Sequence, residues 1–265
     1  MLALIDGDIP CFTECAVAEQ RGSVFGSYFP DITALADSAS QTIEAWAKAA
    51  GATEIMVVMS HSDRRNFRKH LLPLQYKVQR TKPKPGGYNE CVDMIRERFD
   101  CFDIAGVEGD DTCGILHTSD AVGETVIIST DKDMKTIPGW LYNPNKMVER
   151  EWVTPNEATH FWMQQILEGD AADGYKGCRS VGKVKALRTI GEVDNDMDTD
   201  EYIKLLWSRT MEMYVNIYGD DEALDLAVMQ ARMARILHRP DYDREAGTIQ
   251  LWHPDTPETF KLDSF

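Results

Sequence analysis

The sequence has no apolar run long enough to cross a membrane; the longest, such as ETVIIST at 124–130, are strand-length. MLALIDGDIP at the N-terminus has no basic segment leading into a long apolar stretch, so a secretory leader is not expected. None of the six cysteines (Cys11, Cys15, Cys91, Cys101, Cys113, Cys178) stands in a CxxC pair, and most sit in apolar contexts. Reduced thiols in a cytoplasm are therefore expected. No histidine has triad or metal-ligand spacing, and there is no internal repeat, low-complexity tract or long linker. Basic residues are also scarce: 28 Lys and Arg face 44 Asp and Glu, a net charge of −16, which taken alone argues against a nucleic-acid partner.

The distribution of the basic residues changes that conclusion. Residues 63–84 carry Arg64, Arg65, Arg68, Lys69, Lys77, Arg80, Lys82 and Lys84 against one acid, Asp63; His61 and His70 are candidate additions. Residues 176–188 carry Lys176, Arg179, Lys183, Lys185 and Arg188 with no acid among them. One such window is readily explained as a solvated helix face. Two of them on an acidic background are candidate phosphate contacts.

At 43% hydrophobic and 27% charged residues, the 265-residue chain reads as globular, with one large domain or a main domain and an appendage. LALID (2–6), EIMVVMS (54–60), CFDIAG (101–106) and ETVIIST (124–130) read as buried strands. Segments 32–50, 89–99 and 109–119 read as helices between them. This alternation predicts an α/β fold with a mostly parallel central sheet flanked by helices. The basic, proline-punctuated stretch 61–88 is too long for an ordinary connection and reads as a functional arch. After Pro155 the pattern becomes helical, over 155–168, 183–190, 200–218 and 221–238. The expected division is a core at 1–154 and a helical region at 155–265 whose C-terminal helices pack on the core.

Acids follow the strands. Asp6 and Asp8, Glu108, Asp110 and Asp111, and Asp131 and Asp133 all sit at predicted strand ends, and Asp170 and Asp173 share the GDAAD turn. Carboxyl ends of parallel strands converge on one crevice, where so many carboxylates without a cation would repel one another. All-oxygen ligands select Mg²⁺ or Mn²⁺ over zinc. Two such ions about 3.5–4 Å apart clamp a phosphodiester. Several of these acids also suit helix caps or turns, Asp110 above all.

With these residues in view, the chain resembles the 5′-nuclease superfamily of flap endonucleases and 5′–3′ exonucleases, and within it the exonucleases of short-tailed bacteriophages. The resemblance covers roughly residues 2–190: LALIDGD, SDRRNFRKHLLPLQYKVQR, VEGDDTCGIL, ISTDKDM and GDAADGYKGCRSVGKVKA stand in the family's order. It implies a PIN-like core with a helix–three-turn–helix element at about 160–190. It assigns Asp6, Glu108, Asp110 and Asp111 to one metal, and Asp131, Asp133, Asp170 and Asp173 to a second. Asp63 matches the acid before Phe-Arg, while Asp8 has no firm counterpart. Lys77 and Arg80 match the basic pair that contacts the scissile phosphate.

The same resemblance implies a metal-dependent 5′–3′ exonuclease or flap endonuclease acting on DNA, and extends to RNA in RNA–DNA hybrids, as a monomer. Expected DNA contacts are Arg64, Arg65, Arg68, Lys69, Lys82, Lys84, Lys176, Gly177, Arg179, Gly182, Lys183 and Lys185. Tyr76 is placed to stack on a base, although an aromatic beside Pro73 and Leu74 more often packs. Family hairpins of this type also hold K⁺ through carbonyls; here Ser180 stands where Gly is usual and Gly174 where Asn is usual. Two alternatives stay open at this point: a haloacid-dehalogenase-type phosphatase using Asp6 as nucleophile in IDGD, and a catalytically silent DNA-binding module.

Overall fold

The computed structural model describes residues 1–23, 29–61, 65–72, 76–78 and 81–263. Asp63, Arg64 and Arg80 lie outside the described residues. The chain forms two compact units. The first comprises residues 1–64, 81–132 and 140–151; the second comprises 65–80, 133–139 and 152–265. Segments 65–80 and 133–139 therefore belong with the helical unit, although a division at residue 154 would place them in the core.

The first unit is built on a parallel sheet. Strand β1 (Leu2–Asp6) lies between β2 (Glu54–Val58) and β4 (Thr125–Ile128). β3 (Cys101–Phe102) adds to β2 and β5 (Gly139–Tyr142) to β4, all in parallel. With β6 (Glu151–Val153) the order is β3-β2-β1-β4-β5-β6. Alternation along β1 sends Ala3 and Ile5 to one face, where they join side chains of α1 (Asp8–Ser23), α2 (Ile32–Ala49) and α4 (Tyr88–Arg98). Helix α5 (Gly109–His117) packs against β1, β2 and β4. A parallel sheet needs both faces covered, which is why its strands read as nearly continuous apolar runs. Strand order reverses direction at β1, so the carboxyl ends of β1 and β4 border a topological switch point.

Helix α1 is not among the helices expected from the sequence; Pro10 falls in its first turn, where a proline loses no bond. Its entry is tight. The Gly7 N–H donates to the Val58 carbonyl at 2.9 Å, and a Cβ on Gly7 would lie 2.3 Å from Val57 Cγ1.

The second unit centres on α6 (Pro155–Glu168), α7 (Lys183–Ile190), α8 (Thr199–Tyr218) and α9 (Asp220–Ala234). A reciprocal cap starts α6: the Glu157 N–H donates to Thr154 Oγ1 at 3.1 Å, and the Thr154 N–H to Glu157 Oε2 at 2.8 Å. The short helix α3 (Phe67–Leu71) belongs to this unit, so part of the predicted arch is packed structure. The C-terminus also departs from an all-helical expectation: β7 (Tyr242–Asp243), β8 (Thr248–Leu251) and β9 (Glu258–Lys261) form an antiparallel sheet. These strands are two to four residues long, too short for an alternation signal. Among the described residues no helix is long and apolar enough to cross a membrane, and all six cysteines are free.

Candidate metal centre and nucleic-acid contacts

In the first unit the predicted acids gather where β1, β4 and α5 end or begin. Glu108 is the N-cap of α5, and Asp110 and Asp111 occupy its first turn. One carboxylate oxygen from each of the three lies within 4.8 Å of the others. The fully buried Asp111 accepts the Glu108 N–H through Oδ2 at 3.2 Å, and Asp110 Oδ1 accepts the Asp111 N–H at 2.8 Å. Asp111 thus takes the reciprocal capping position, and Asp110 accepts a first-turn N–H, as its place in the first turn suggested. Acids at a helix N-terminus are partly stabilised by its dipole, which lowers the cost of placing three together.

Asp6 ends β1. The buried Ser129 hydroxyl donates to its Oδ2 at 3.1 Å, and Ser129 Oγ accepts the Asp131 N–H at 3.1 Å. One hydroxyl therefore ties the ends of β1 and β4 together. The Asp6 residue is partly exposed, but its carboxyl group is packed among protein atoms. That burial, then the charge of Asp8 and that of Asp131, pushes its pKa up to about 7, against the lowering effect of Ser129. Clustered oxygen donors holding one acid half-protonated at neutral pH fit a hard divalent cation. Asp8 does not join this group as a free ligand. Its Oδ1 accepts the Tyr88 hydroxyl at 2.6 Å and its Oδ2 the Ser60 N–H at 3.1 Å.

In the second unit, Asp133 lies in the first turn of a 3₁₀ helix (Lys132–Thr136) and accepts Gln165 Nε2 at 2.5 Å. Asp170 closes the GDAAD turn: its Oδ1 accepts the Ala172 N–H at 2.7 Å and the Asp173 N–H at 3.3 Å. Asp173 Oδ2 lies 3.6 Å from Lys77 Nζ and 3.5 Å from the Tyr76 hydroxyl, and the Asp173 carbonyl accepts the Lys77 N–H at 2.8 Å. Lys77 has φ +53°, a left-handed conformation unusual for a side-chain-bearing residue.

Several predicted DNA contacts are placed in the open, and several are not. Lys69, Lys82, Lys84, Lys176, Arg179, Gly182, Lys183 and Lys185 are exposed, and Arg65 is partly so. Lys84 Nζ stands 3.7 Å from the Tyr88 ring centroid. Arg179 is held by the Ile217 carbonyl at 3.0 Å. Three others are corrected by burial. Arg68 is 2% exposed, and its guanidinium donates to the carbonyls of Met233 (3.2 Å) and Arg235 (2.6 Å), so it locks α3 onto the end of α9. Tyr76 is 3% exposed, which favours packing over stacking on a base. Gly177 is buried; its N–H is taken by Gln230 Oε1 at 2.8 Å, and a Cβ there would lie 2.4 Å from the Gly169 nitrogen. Gly177 therefore serves a close crossing of two chain segments. Ser180 adopts φ +60°, the left-handed geometry that a glycine would supply at that point.

No family model matches the chain. The exonuclease of Escherichia phage T7 is 30% identical, over 75% of this chain and 74% of that protein. The chain belongs to the family of phage exonucleases. The exodeoxyribonuclease of Enterobacteria phage T3 is 28% identical, over 75% of this chain and 73% of that one. Solved structures agree on the fold. The phage T5 5′-exonuclease with bound divalent zinc matches at TM-score 0.54 and 17% identity, over 88% of this chain and 96% of that one. The catalytic core of Rad2 in complex with DNA substrate matches at TM-score 0.52 and 12% identity, over 91% and 80%.

As a phage exonuclease the chain is a nuclease, a phosphodiester hydrolase. Ser129 stands out in that light: it lies in the ISTDKDM motif, but spacing alone gave no sign that its hydroxyl links two strand ends. Gln165 and Tyr88, which hold Asp133 and Asp8, carried no motif signal at all.

Proposed function

We propose that this phage exonuclease removes nucleotides from 5′ ends of DNA, with flap cleavage as the related activity, using Mg²⁺ or Mn²⁺ held by its acid groups. The observation that carries the reading is the convergence of Glu108, Asp110 and Asp111 within 4.8 Å, beside Asp6 and its pKa of about 7. Divalent zinc in the T5 enzyme and DNA on the Rad2 core support it.

In this reading Asp6, Glu108, Asp110 and Asp111 hold one ion, with Asp131 tied to them through Ser129. Asp133, Asp170 and Asp173 hold the other. A bound divalent ion supplies polarisation of the phosphate and a water made acidic enough to ionise near neutral pH. The protein's own part is to fix the carboxylates: Ser129 fixes Asp6, and the α5 amides fix Asp110 and Asp111. Lys77 and Arg80 neutralise charge developing on the scissile phosphate. Exposed Lys176, Lys183 and Lys185 around the Gly182 turn grip the duplex backbone, where the N-terminus of α7 favours an anion. Carbonyls of the same hairpin offer a K⁺ site, with Ser180 supplying the left-handed residue. RNA in RNA–DNA hybrids is included as substrate, and the monomer as the acting form.

Neither alternative is favoured. Asp8, the second acid of a phosphatase-like Asp-x-Asp, has both oxygens engaged, and the curated relatives are exonucleases. The test is digestion of end-labelled duplex, flap, gapped-circle and RNA–DNA substrates with Mg²⁺ or EDTA. Mononucleotides or short flaps released from the 5′ end with Mg²⁺ alone are expected; cleavage persisting in EDTA would sink the proposal.

A further inference from the structure

Two uncharged polar side chains beside Asp133, Asp170 and Asp173 have no role in the chemistry above. Gln165 is 3% exposed, and its Nε2 donates to Asp133 Oδ1 at 2.5 Å. That bond decides which way the carboxamide faces, because only its NH₂ end can donate to a carboxylate. Its Oε1 is left buried with no hydrogen-bond partner. Tyr175 is 2% exposed, and its hydroxyl is likewise buried and without a partner. Burial, then the charges of Asp133, Asp170 and Asp173, keeps the proton on this phenol well above the usual tyrosine range.

Buried polar atoms without partners are few in native proteins, and each calls for a water or a ligand. A hydroxyl within the field of three carboxylates would bond one of them directly if it reached. It bonds none of them, so its hydrogen-bonding capacity is left for a water. A hard cation such as Mg²⁺ gives up its water reluctantly and commonly binds through several retained waters.

We infer that Gln165 is a positioning residue for Asp133, and that its carbonyl together with the Tyr175 hydroxyl binds the water shell of a hydrated divalent cation held by Asp133, Asp170 and Asp173. The inference rests on the metal-dependent reading above and adds the mode of binding. The acids supply the charge, while a buried neutral layer bonds the waters and fixes the carboxylate.

Hexaamminecobalt(III) tests this directly. Its ammine ligands do not exchange, so it binds only sites that accept an ion through its outer shell. Calorimetric titration of the full chain, on an Asp111→Asn background to silence the first unit's acids, should show Mn²⁺ and hexaamminecobalt(III) competing for one site. Gln165→Met and Tyr175→Phe, which keep size but remove the polar atoms, should each weaken both ligands about ten- to a hundredfold. Thermal unfolding of each variant, measured without metal, separates a merely structural role: lowered stability with unchanged affinity overturns the inference. Affinity for both ligands equal to the parent also overturns it, leaving the nuclease reading intact. A parent that binds no ion at the second unit overturns both this inference and the second ion.

Discussion

Asp6 shows how much one side chain can carry. With its pKa raised to about 7, it keeps a proton near neutrality that a metal must displace. Mn²⁺ affinity should therefore fall up to tenfold per pH unit below about pH 7 and level off above it. Calorimetry in buffers of different ionisation enthalpy should detect proton release on binding. The stability sign follows from the same shift. The folded metal-free protein holds the Asp6 proton more tightly than the unfolded chain does. That contribution is full below the ordinary carboxyl pKa of 3.8 and is lost as pH rises to about 7. Urea midpoints of the metal-free protein and of Asp6→Asn between pH 4 and 8 check it. Ser129→Ala removes the hydroxyl that bonds Asp6 and receives the Asp131 N–H. It should cut kcat by about ten- to a hundredfold through misplaced carboxylates, with DNA affinity in EDTA unchanged. An equal kcat would deny Ser129 that part.

At the scale of elements, burial sorts residues that composition could not. Arg68 lies in a basic window and reads as a phosphate contact, but α3 folds it against the α9 carbonyls. Arg68→Met should cost roughly 2–4 kcal/mol, since two buried carbonyls lose a charged donor. The salt dependence of DNA binding should stay as it was, whereas a true phosphate contact would lower it. Gly177→Ala places a Cβ 2.4 Å from the Gly169 nitrogen at φ +63°. It should destabilise by at least about 2 kcal/mol in a thermal melt, while Gly182→Ala, whose Cβ meets nothing, should cost far less. Strong patterns placed whole elements: 155–168 and 183–190 match α6 and α7 residue for residue. Weak ones did not: α1 hides behind Pro10, and the strands β7, β8 and β9 are too short to alternate.

At the scale of the molecule, a chain of charge −16 is proposed to bind a polyanion through a few exposed cations. Binding to duplex DNA, with EDTA to prevent cleavage, should weaken steeply with salt. Lys183→Glu with Lys185→Glu should reduce the log–log slope by about 2. A slope equal to the parent's would remove these lysines from the interface. Asp111→Asn with Asp131→Asn should abolish cleavage while sparing DNA binding; residual full activity would contradict the metal assignment.

Most of the acid set was legible because each acid ends an apolar run or opens a helix. Periodicity and punctuation mark those places along the chain without any knowledge of contacts. The sequence by itself thus determined the α/β class, the order of the acid motifs and the two basic windows, all local patterns. Only the tertiary structure decided that Asp8 is spent on Tyr88 and Ser60, and that Arg68, Tyr76 and Gly177 are interior. Those outcomes depend on partners 52 to 167 residues away in the chain, and no local pattern encodes a distant hydrogen bond.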